Sequence, residues 1–339
     1  MPNDEVRKPM TYESAGVSIS RGNQAVEWIK PLAASTRRPE VVADVGGFAG
    51  AFRVGDTELL AGADGVGSKL MLAQALGRYD TIGIDLVAMN VNDVLAAGGE
   101  PLFFLDYVAV GKLNPERVRD LVAGVAAGCR EAGAALLGGE TAEMPDLYAG
   151  EDFDLSGFAV GRREYRPLGS PTPGDLLLGL ESSGFHSNGY QLVRSVVQES
   201  GHSYDERFPA LGEDTLGAVL LRPTRIYVRP IRALWTVLNV KAMAHITGGG
   251  LIENVPRTLG GLGVQLLKDQ WNWPAEMQLI QEWGRIQQAE MLRTFNCGIG
   301  FTVVVAEADV VRAQAVLEEH GVRSYVIGRI VDHPGVIVG

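Results

Sequence analysis

The stretch Asp64-Gly65-Val66-Gly67-Ser68-Lys69 follows a predicted apolar strand, Thr57–Ala63, and precedes a predicted helix that ends at Gly77. A glycine turn between a strand and a helix start presents main-chain N–H groups, a lysine and a carboxylate at one point. Such a turn suits phosphate oxygens and a divalent cation. Its spacing is that of neither a P-loop nor the dinucleotide-binding fingerprint. An ordinary turn with a solvated aspartate and lysine would have the same residues, so the hexapeptide alone leaves both interpretations open.

The composition is that of a globular protein. The chain has 339 residues, of which 46% are hydrophobic and 21% charged, and its length predicts two domains. Its 30 Lys and Arg against 41 Asp and Glu give a net charge of −11, which disfavours nucleic acid and anionic membrane as partners. Cys129 and Cys297 form neither a metal-ligand spacing nor a disulfide framework, and no stretch reaches membrane-spanning length. These features predict a cytoplasmic protein.

A second polar cluster lies inside a predicted helix, Asp85–Gly98, that is apolar on most faces. Asn90, Asn92 and Asp93 interrupt its apolar sequence. Burying such groups is costly unless they are paired or bind a ligand, so this helix is a second candidate for a functional site. A solvated face on a half-buried helix is the alternative.

A third acidic segment follows the predicted buried strand Ala134–Leu137. It is Gly138–Pro145, which carries Glu140 and is predicted to be another glycine turn at a strand end. Asp64, Asp93 and Glu140 thus recur at glycine-rich ends of elements. Because magnesium binds a few carboxylates together with phosphate oxygens and water, their recurrence favours a Mg²⁺–nucleotide site.

The chain divides into two α/β halves. Prolines and arginines accumulate over Arg162–Pro173, which predicts domains at 1–168 and 169–339 with a ligand cleft between them. Near the N-terminus, a helix is predicted over Asn23–Ser35, with its apolar side chains packing inward and Pro31 as a break or kink.

Two further turns in the second half carry candidate functional groups. His186-Ser187-Asn188 precedes a predicted helix, and a histidine beside a helix N-terminus suits anion binding or proton transfer. A histidine that packs within a turn is the alternative. Thr247-Gly248-Gly249-Gly250 is another strand, turn and helix start, in which Thr247 can contact an oxyanion or phosphate.

Taken in order, these motifs resemble those of the phosphoribosylformylglycinamidine cyclo-ligase (AIR synthetase) family, and the resemblance covers nearly the whole chain. The segments that carry it are Tyr12–Val17, Asp64–Leu70, Asp80–Met89, Pro101–Tyr107, Gly138–Pro145, His186–Tyr190, Thr247–Gly250 and Arg293–Gly298. Ser68 stands where the family usually has threonine, Ala63 where threonine or serine is common, and Phe185 where proline or leucine is frequent. None of these departures removes a group that the chemistry needs.

The resemblance implies a two-domain α/β (α+β) fold, in which the N-terminal sheets of a homodimer form a barrel and the C-terminal domain has a mixed sheet with helices. It implies ATP- and Mg²⁺-dependent ring closure of formylglycinamidine ribonucleotide to aminoimidazole ribonucleotide in de novo purine biosynthesis, with release of ADP and phosphate.

The roles that we carry over onto this sequence are hypotheses. Asp64, Asp93 and Glu140 would bind Mg²⁺ and phosphates; Lys69 and the backbone of Gly65, Val66, Gly67 and Ser68 would contact phosphates; and Lys30 would close over ATP. His186 would transfer a proton or stabilise the phosphorylated intermediate, with Ser187 and Asn188 beside it, and Thr247, Gly248 and Gly249 would hold the ribonucleotide phosphate. Asp93, Lys69 and His186 are the expected catalytic residues.

Sister enzymes of the same superfamily are alternative interpretations. Selenophosphate synthetase has a reactive cysteine or selenocysteine near its N-terminus, whereas no cysteine precedes Cys129 here. The hydrogenase-maturation dehydratase ends on a reactive cysteine, whereas this sequence ends Val338-Gly339. Formylglycinamidine ribonucleotide synthetase is normally longer or needs partner subunits. From another class, a non-catalytic nucleotide-binding protein of the same fold remains open.

Overall fold

The computed structural model describes residues 8–43, 46–267 and 269–339. Its N-terminal half is built around one sheet, and the predicted strand before the Asp64 turn is confirmed. The elements of this half are α1 Ile19–Ala34, β1 Gly50–Val54, β2 Thr57–Gly65, α2 Lys69–Leu76, α3 Ile82–Ala96, β3 Gly99–Val110, α4 Pro115–Ala132, β4 Ala135–Glu143 and β5 Phe153–Arg163.

The N-terminal sheet has the strand order β1-β2-β5-β3-β4, and only the β3–β4 pair is parallel among these neighbours. Helix α3 packs on one face of this sheet and α4 packs against α3. Nearly all of α3 is buried, including Asn90 and Asn92, because it lies between the sheet and the rest of the molecule. Gly83 allows the close approach of α4, since a Cβ at this position would lie 2.3 Å from the Val125 nitrogen.

The other face of this sheet exposes apolar side chains. Ala63, Phe158 and Leu105 are direct cross-strand neighbours, so their side chains point to the same side. Phe158 is 40% exposed, Leu105 36%, and Tyr107, two residues further along β3, 38%. We call the side of the sheet that carries Ala63, Phe158, Leu105 and Tyr107 the open face. Contiguous exposed apolar surface of this kind is typical of an interaction site.

The C-terminal half is a second α/β unit. Its sheet has the order β11-β8-β10-β6-β9-β7 and is mixed, because only β11 pairs in parallel with its neighbour β8. The predicted α/β architecture with a mixed C-terminal sheet is therefore confirmed. The elements are β6 Leu176–Glu181, α5 Tyr190–Ser200, α6 Leu216–Leu220, α7 Val228–Val237, β7 Ala242–His245, α8 Gly250–Asn254, β8 Gly263–Leu266, α9 Ala275–Gly284, α10 Gln288–Thr294, β9 Ile299–Val305, α11 Val310–Glu319, β10 Ser324–Val331 and β11 Gly335–Val338.

Two local predictions were wrong. Helix α1 forms, but none of its residues is buried: Trp28 is 67% exposed and Ile29 49%, and Pro31 lies within the helix. Gly138 to Glu143 belong to strand β4 and form no turn, because their main chain pairs with β3.

Among the described residues, no helix combines the length and apolar character needed to cross a membrane.

A buried ion pair joins the two halves. Lys69 Nζ lies 2.8 Å from Asp85 Oδ1, and both side chains are 0% exposed. The same carboxylate oxygen accepts hydrogen bonds from the amide and hydroxyl of Thr224, at 2.8 and 2.6 Å, and from the Ser187 hydroxyl at 3.0 Å. Lys69 also donates to the main-chain oxygen of Arg222 at 2.6 Å. Helices α2 and α3 are thereby fixed to two loops of the C-terminal half.

We expect Lys69→Met to lower the free energy of unfolding by about 3 kcal/mol or more, because it leaves the Asp85 carboxylate buried without its cation. Urea denaturation followed by circular dichroism measures the change. Adding Asp85→Asn to this variant removes the buried charge and should recover part of the loss.

Lys112→Met is the matched control, because Lys112 is exposed and its substitution should change stability by no more than about 0.5 kcal/mol. Equal stability of the Lys69→Met variant and this control would contradict the role given to the ion pair.

Candidate functional site

The predicted carboxylates Asp64 and Asp93 lie close together where β2 meets α3. The Asn90 amide donates to the main-chain oxygens of Asp64, at 3.3 Å, and Leu86, at 2.9 Å, which fixes the helix against the strand end. Asp93 is three residues after Asn90 and so lies on the same side of α3. The sequence motifs that carry these two aspartates are thus brought together by strand–helix packing.

Burial and the proximity of Asp93 change the titration of Asp64. Burial, reinforced by the negative charge of Asp93, raises the pKa of Asp64 to about 6. A main-chain hydrogen bond from Gly65, 2.8 Å from Asp64 Oδ1, opposes the shift. Neighbouring carboxylates that resist joint ionisation form a site that a cation stabilises.

His245 belongs to this site and was not among the predicted functional residues. Its Nδ1 lies 2.8 Å from Asp93 Oδ1, and the side chain is 0% exposed at the end of β7. Its Nε2 is buried without a hydrogen-bond partner in the described part of the chain. A histidine two residues before Thr247 was the available signal in the sequence. Only the packing of β7 against α3 reveals its contact with Asp93.

The oxygen atoms present fit a hard cation such as Mg²⁺. Besides the two carboxylates, the Asn90 side-chain oxygen is buried and lacks a partner among the described residues. Carboxylate and amide oxygens are the ligand type that Mg²⁺ prefers, and it retains waters or phosphates for the other positions.

Glu140 does not join this site within one chain, so the predicted set of three carboxylates is wrong for a single chain. Glu140 lies on β4 as the cross-strand neighbour of Tyr107 on β3, so its side chain projects to the open face. The side chain of Asp64 projects to the opposite face, which α3 covers. Within residues 8–43, 46–267 and 269–339, no group of three His, Cys, Asp or Glu side chains is placed to hold a metal.

Three glycine-rich loops converge beside the aspartates. A Cβ on Gly67, where φ is +73°, would lie 4.0 Å from the Ser187 main-chain oxygen. A Cβ on Gly248 would lie 3.6 Å from Asn188 Oδ1. Gly67 and Gly248 are both exposed, so their main chains border an open space that a ligand can enter. Close approach of backbone groups without side chains is typical of a phosphate-binding loop.

Asn254 holds the Thr247 loop in shape and was also missed by the sequence analysis. Its fully buried amide donates to the main-chain oxygens of Thr247, Gly248 and Gly250 at 3.3, 3.2 and 2.8 Å. The Thr247 hydroxyl donates in turn to Asn254 Oδ1 at 3.3 Å. Gly249, with φ +96°, adopts this backbone conformation without steric strain because it lacks a side chain.

The predicted side-chain contacts of Lys69 and Ser187 with phosphate or substrate are wrong. Lys69 is fully buried in its ion pair with Asp85, and its ammonium therefore does not face a ligand. The Ser187 hydroxyl, on a side chain that is 7% exposed, is used in the same network. The predicted phosphate contact of Val66 concerns its main chain and stays a prediction, because only its side chain packs in the core. Sequence alone could not separate a buried lysine from a phosphate-binding one.

His186 is buried, 1% exposed, and adopts a left-handed backbone with φ +62°. Burial, together with the positive potential of His245, Lys69 and Arg225, lowers the pKa of His186 well below its ordinary value. Its Nε2 accepts a hydrogen bond from the Ser183 amide at 3.2 Å, so the proton of the neutral ring lies on Nδ1. Its role in proton transfer stays a prediction.

Lys30, Ser68 and Gly65 are three other residues that the sequence analysis assigns to ATP. The Lys30 ammonium pairs with Glu27, and its side chain passes within 3.9 Å of where a Cβ of Gly46 would be. Ser68 is the residue before α2, and its side chain makes no capping hydrogen bond to the helix. A Cβ placed on Gly65 would lie 3.1 Å from the main-chain oxygen of Leu155. Direct contacts of these three residues with ATP stay predictions.

We expect Asp64→Asn to stabilise the ligand-free protein at pH 7–8 by roughly 2 kcal/mol. Because the folded-state pKa of Asp64 is raised to about 6, its stability contribution is fully present below the unfolded-state pKa near 4 and is lost as pH rises through 6. The gain should therefore vanish between pH 6 and 4 in urea titrations. The exposed Asp56→Asn is the control; a pH-independent difference for Asp64→Asn would contradict the raised pKa.

The fold is shared with solved structures of low sequence identity. The structure of AaThiL in complex with AMPPCP and TMP is 16% identical, covers 95% of each chain and superposes with a TM-score of 0.65. The structure of tt0281 from Thermus thermophilus is 22% identical, covers 93% of this chain and 95% of its own, and has a TM-score of 0.62. At these identities the likeness concerns the fold alone.

Sequence comparisons are more specific. The AIR synthase related protein N-terminal domain matches residues 46–163, and the corresponding C-terminal domain matches residues 172–339. The phosphoribosylformylglycinamidine cyclo-ligase of Desulfitobacterium hafniense is 51% identical over 329 residues, which are 94% of this chain and 96% of that protein. That of Citrifermentans bemidjiense is 49% identical over 331 residues, 95% of each. The chain therefore belongs to the AIR synthase related family and, within it, to the phosphoribosylformylglycinamidine cyclo-ligases.

Proposed function

We propose that the cleft between the Asp64–Ser68 loop, helix α3 and the Thr247–Gly250 loop is where ATP drives ring closure of phosphoribosylformylglycinamidine to aminoimidazole ribonucleotide. The observation that carries this proposal is the pair of neighbouring carboxylates, Asp64 and Asp93, facing exposed glycine backbone from both halves of the chain. Such a site suits one anionic nucleotide beside a second phosphorylated ligand.

The chemistry requires activation of a formyl oxygen, which is a poor leaving group. The γ-phosphoryl group of ATP transfers to this oxygen, ADP departs, and an iminophosphate results. The ribose-bearing nitrogen then attacks the former formyl carbon, and phosphate leaves with the oxygen as the ring closes and protons are released. The protein contributes mainly position and charge neutralisation, as in other phosphoryl transfers.

Asp64, Asp93 and the Asn90 oxygen are the groups that would hold Mg²⁺ in the proposed site. When bound, the ion supplies charge neutralisation for the phosphates. His245 is a positioning residue in this scheme, because its hydrogen bond with Asp93 fixes one carboxylate oxygen and leaves the other free.

We further propose that the 247–250 loop holds the ribonucleotide phosphate. Gly250 begins α8 and the exposed Gly248 amide borders the cleft, while the buried Asn254 keeps the loop rigid. Asn188 would contact the same substrate, because its side-chain oxygen lies beside Gly248. His186 remains the candidate for proton transfer, through the Nδ1–H that lacks a partner among the described residues.

The proposed active form is a homodimer in which the open faces of two N-terminal sheets meet. Exposure of Phe158, Leu105 and Tyr107 supports it, because these side chains would be buried in such an interface. Glu140 lies on the same face, so in this assembly any contribution from it to a metal site would be made in the dimer interface. We propose the domain boundary between residues 168 and 169, in the connection between β5 and β6, and a cytoplasmic location consistent with two buried free cysteines.

We expect Asp93→Asn to lower kcat/KM for phosphoribosylformylglycinamidine at least tenfold, or about 1.4 kcal/mol of transition-state stabilisation. The substitution removes a charge from the proposed cation site and weakens the contact with His245. The measurement follows aminoimidazole ribonucleotide formation with ATP and Mg²⁺.

Asp56→Asn is the control for this substitution, because Asp56 is exposed in the turn between β1 and β2, at the opposite end of β2 from Asp64. Near-normal kinetics of Asp93→Asn would refute the proposed role of Asp93. Absence of product from the unmodified protein under any metal condition, with ATP still bound, would refute the proposed function itself.

We expect Phe158→Asp to convert a dimer into a monomer, because a carboxylate would be buried in the apolar interface. Analytical ultracentrifugation at micromolar concentration measures the change. Val311→Asp is the control, since Val311 is 79% exposed on α11, outside the open face. A monomeric unmodified protein, or a dimer unaffected by Phe158→Asp, would contradict the proposed assembly.

A further inference from the structure

A second cavity lies in the C-terminal half, away from the aspartate pair. Its volume is about 490 Å³, and it is bordered by the loop after β6, the start of β10 and the N-terminus of α9. The polar residues that line it are Glu181, Ser182, Ser183, Arg222, Asn272, Glu276, Arg323 and Tyr325. Asp64, Asp93 and His245 are not among the lining residues, although the lining residue Ser183 donates its amide to His186.

Glu276 is the feature of this cavity that most needs a partner. Its side chain is 4% exposed, and Oε1 would lie 3.2 Å from a Cβ placed on Gly184. Burial raises the pKa of Glu276, and a hydrogen bond from its own main-chain amide opposes this shift. Glu276 lines the cavity, so a ligand that donates O–H or N–H groups would form hydrogen bonds with this carboxyl group.

Two arginines supply positive charge on another part of the wall. Arg222 is partly neutralised, because its guanidinium donates to Asp214 at 3.0 Å. Arg323 is exposed, and its guanidinium makes no hydrogen bond or ion pair with the described residues. Its backbone is fixed, since its main-chain oxygen accepts from the Glu181 amide at 2.9 Å. A guanidinium on a rigid strand start suits a phosphate or carboxylate.

Aromatic and amide side chains also line the cavity. Trp273 and Tyr325 contribute rings, and Asn272 lies directly before Trp273. Trp273 also lines a neighbouring cavity of about 410 Å³, so its ring stands between two open spaces. Aromatic faces stack on nucleobases, and amide side chains hydrogen-bond to base edges.

We propose that this cavity binds a ribonucleoside 5′-monophosphate at a site distinct from the ATP cleft. The phosphate pairs with Arg323 and Arg222, the ribose hydroxyls donate to Glu276, and the base stacks on Trp273. Carboxylates commonly bind ribose diols in this way. Glu181, Glu276 and Asp214 outnumber the two arginines, so a ligand with more negative charge than a monophosphate is disfavoured.

The test is calorimetric titration with AMP in the absence of ATP and Mg²⁺. We expect one AMP per chain, at least tenfold weaker binding to Arg323→Ala, and weaker binding to Glu276→Gln. Adenosine, which lacks the phosphate, should bind at least tenfold more weakly than AMP. Arg312→Ala is the matched control, because Arg312 is an exposed arginine on α11 that does not line the cavity.

Asp93→Asn separates this site from the cleft and should bind AMP like the unmodified protein. Thermal unfolding of each variant verifies that the fold is retained. Two results would overturn the proposal: no AMP binding at millimolar concentration, or binding that Asp93→Asn abolishes and Arg323→Ala leaves unchanged. Neither depends on turnover, so failure of this proposal is distinguishable from failure of the proposed catalytic function.

Discussion

The buried pair of Lys69 and Asp85 is the contact on which the arrangement of the two halves depends. Ionised groups with no solvent exposure are tolerated only when hydrogen bonds satisfy them, and here both partners also bond to the C-terminal half. The Lys69 ammonium additionally lies 5.4 Å from the centre of the Tyr190 ring, at the start of α5. Rotation of one half against the other would break these contacts together. The network therefore fixes the distance between the glycine loops that border the cleft.

A second set of hydrogen bonds, made by α3, also holds the two halves together. The Asn92 amide donates to the Arg225 main-chain oxygen at 2.9 Å, and its oxygen accepts from the Tyr227 amide at 3.0 Å. Asp93, the next residue, pairs with His245 on β7. In this buried helix of the N-terminal half, Asn92 holds the C-terminal half, and the next residue, Asp93, presents a carboxylate to His245. This dual use explains why polar residues interrupt an otherwise apolar helix.

The two faces of the N-terminal sheet have different surroundings for a simple geometric reason. Successive side chains of a strand point to opposite faces, so Asp64 faces α3 while its neighbour Ala63 lies on the open face. The same alternation separates Glu140 from the aspartate pair, although all three carboxylates looked equivalent as acidic residues near glycines. Shared chemistry in the sequence therefore did not imply a shared site in the fold.

The sequence by itself determined the α/β architecture, the Asp64 turn, the acidic helix α3 and the family, because these depend on local patterns and on ordered motifs. Only the tertiary structure decided which polar residues serve the cleft and which hold the halves together. Lys69 and Ser187 looked like ligand contacts and are buried partners of Asp85, whereas His245 and Asn254 looked like ordinary residues of a strand and a helix. The reason is that burial and pairing arise between segments far apart in the chain, and local pattern does not record them.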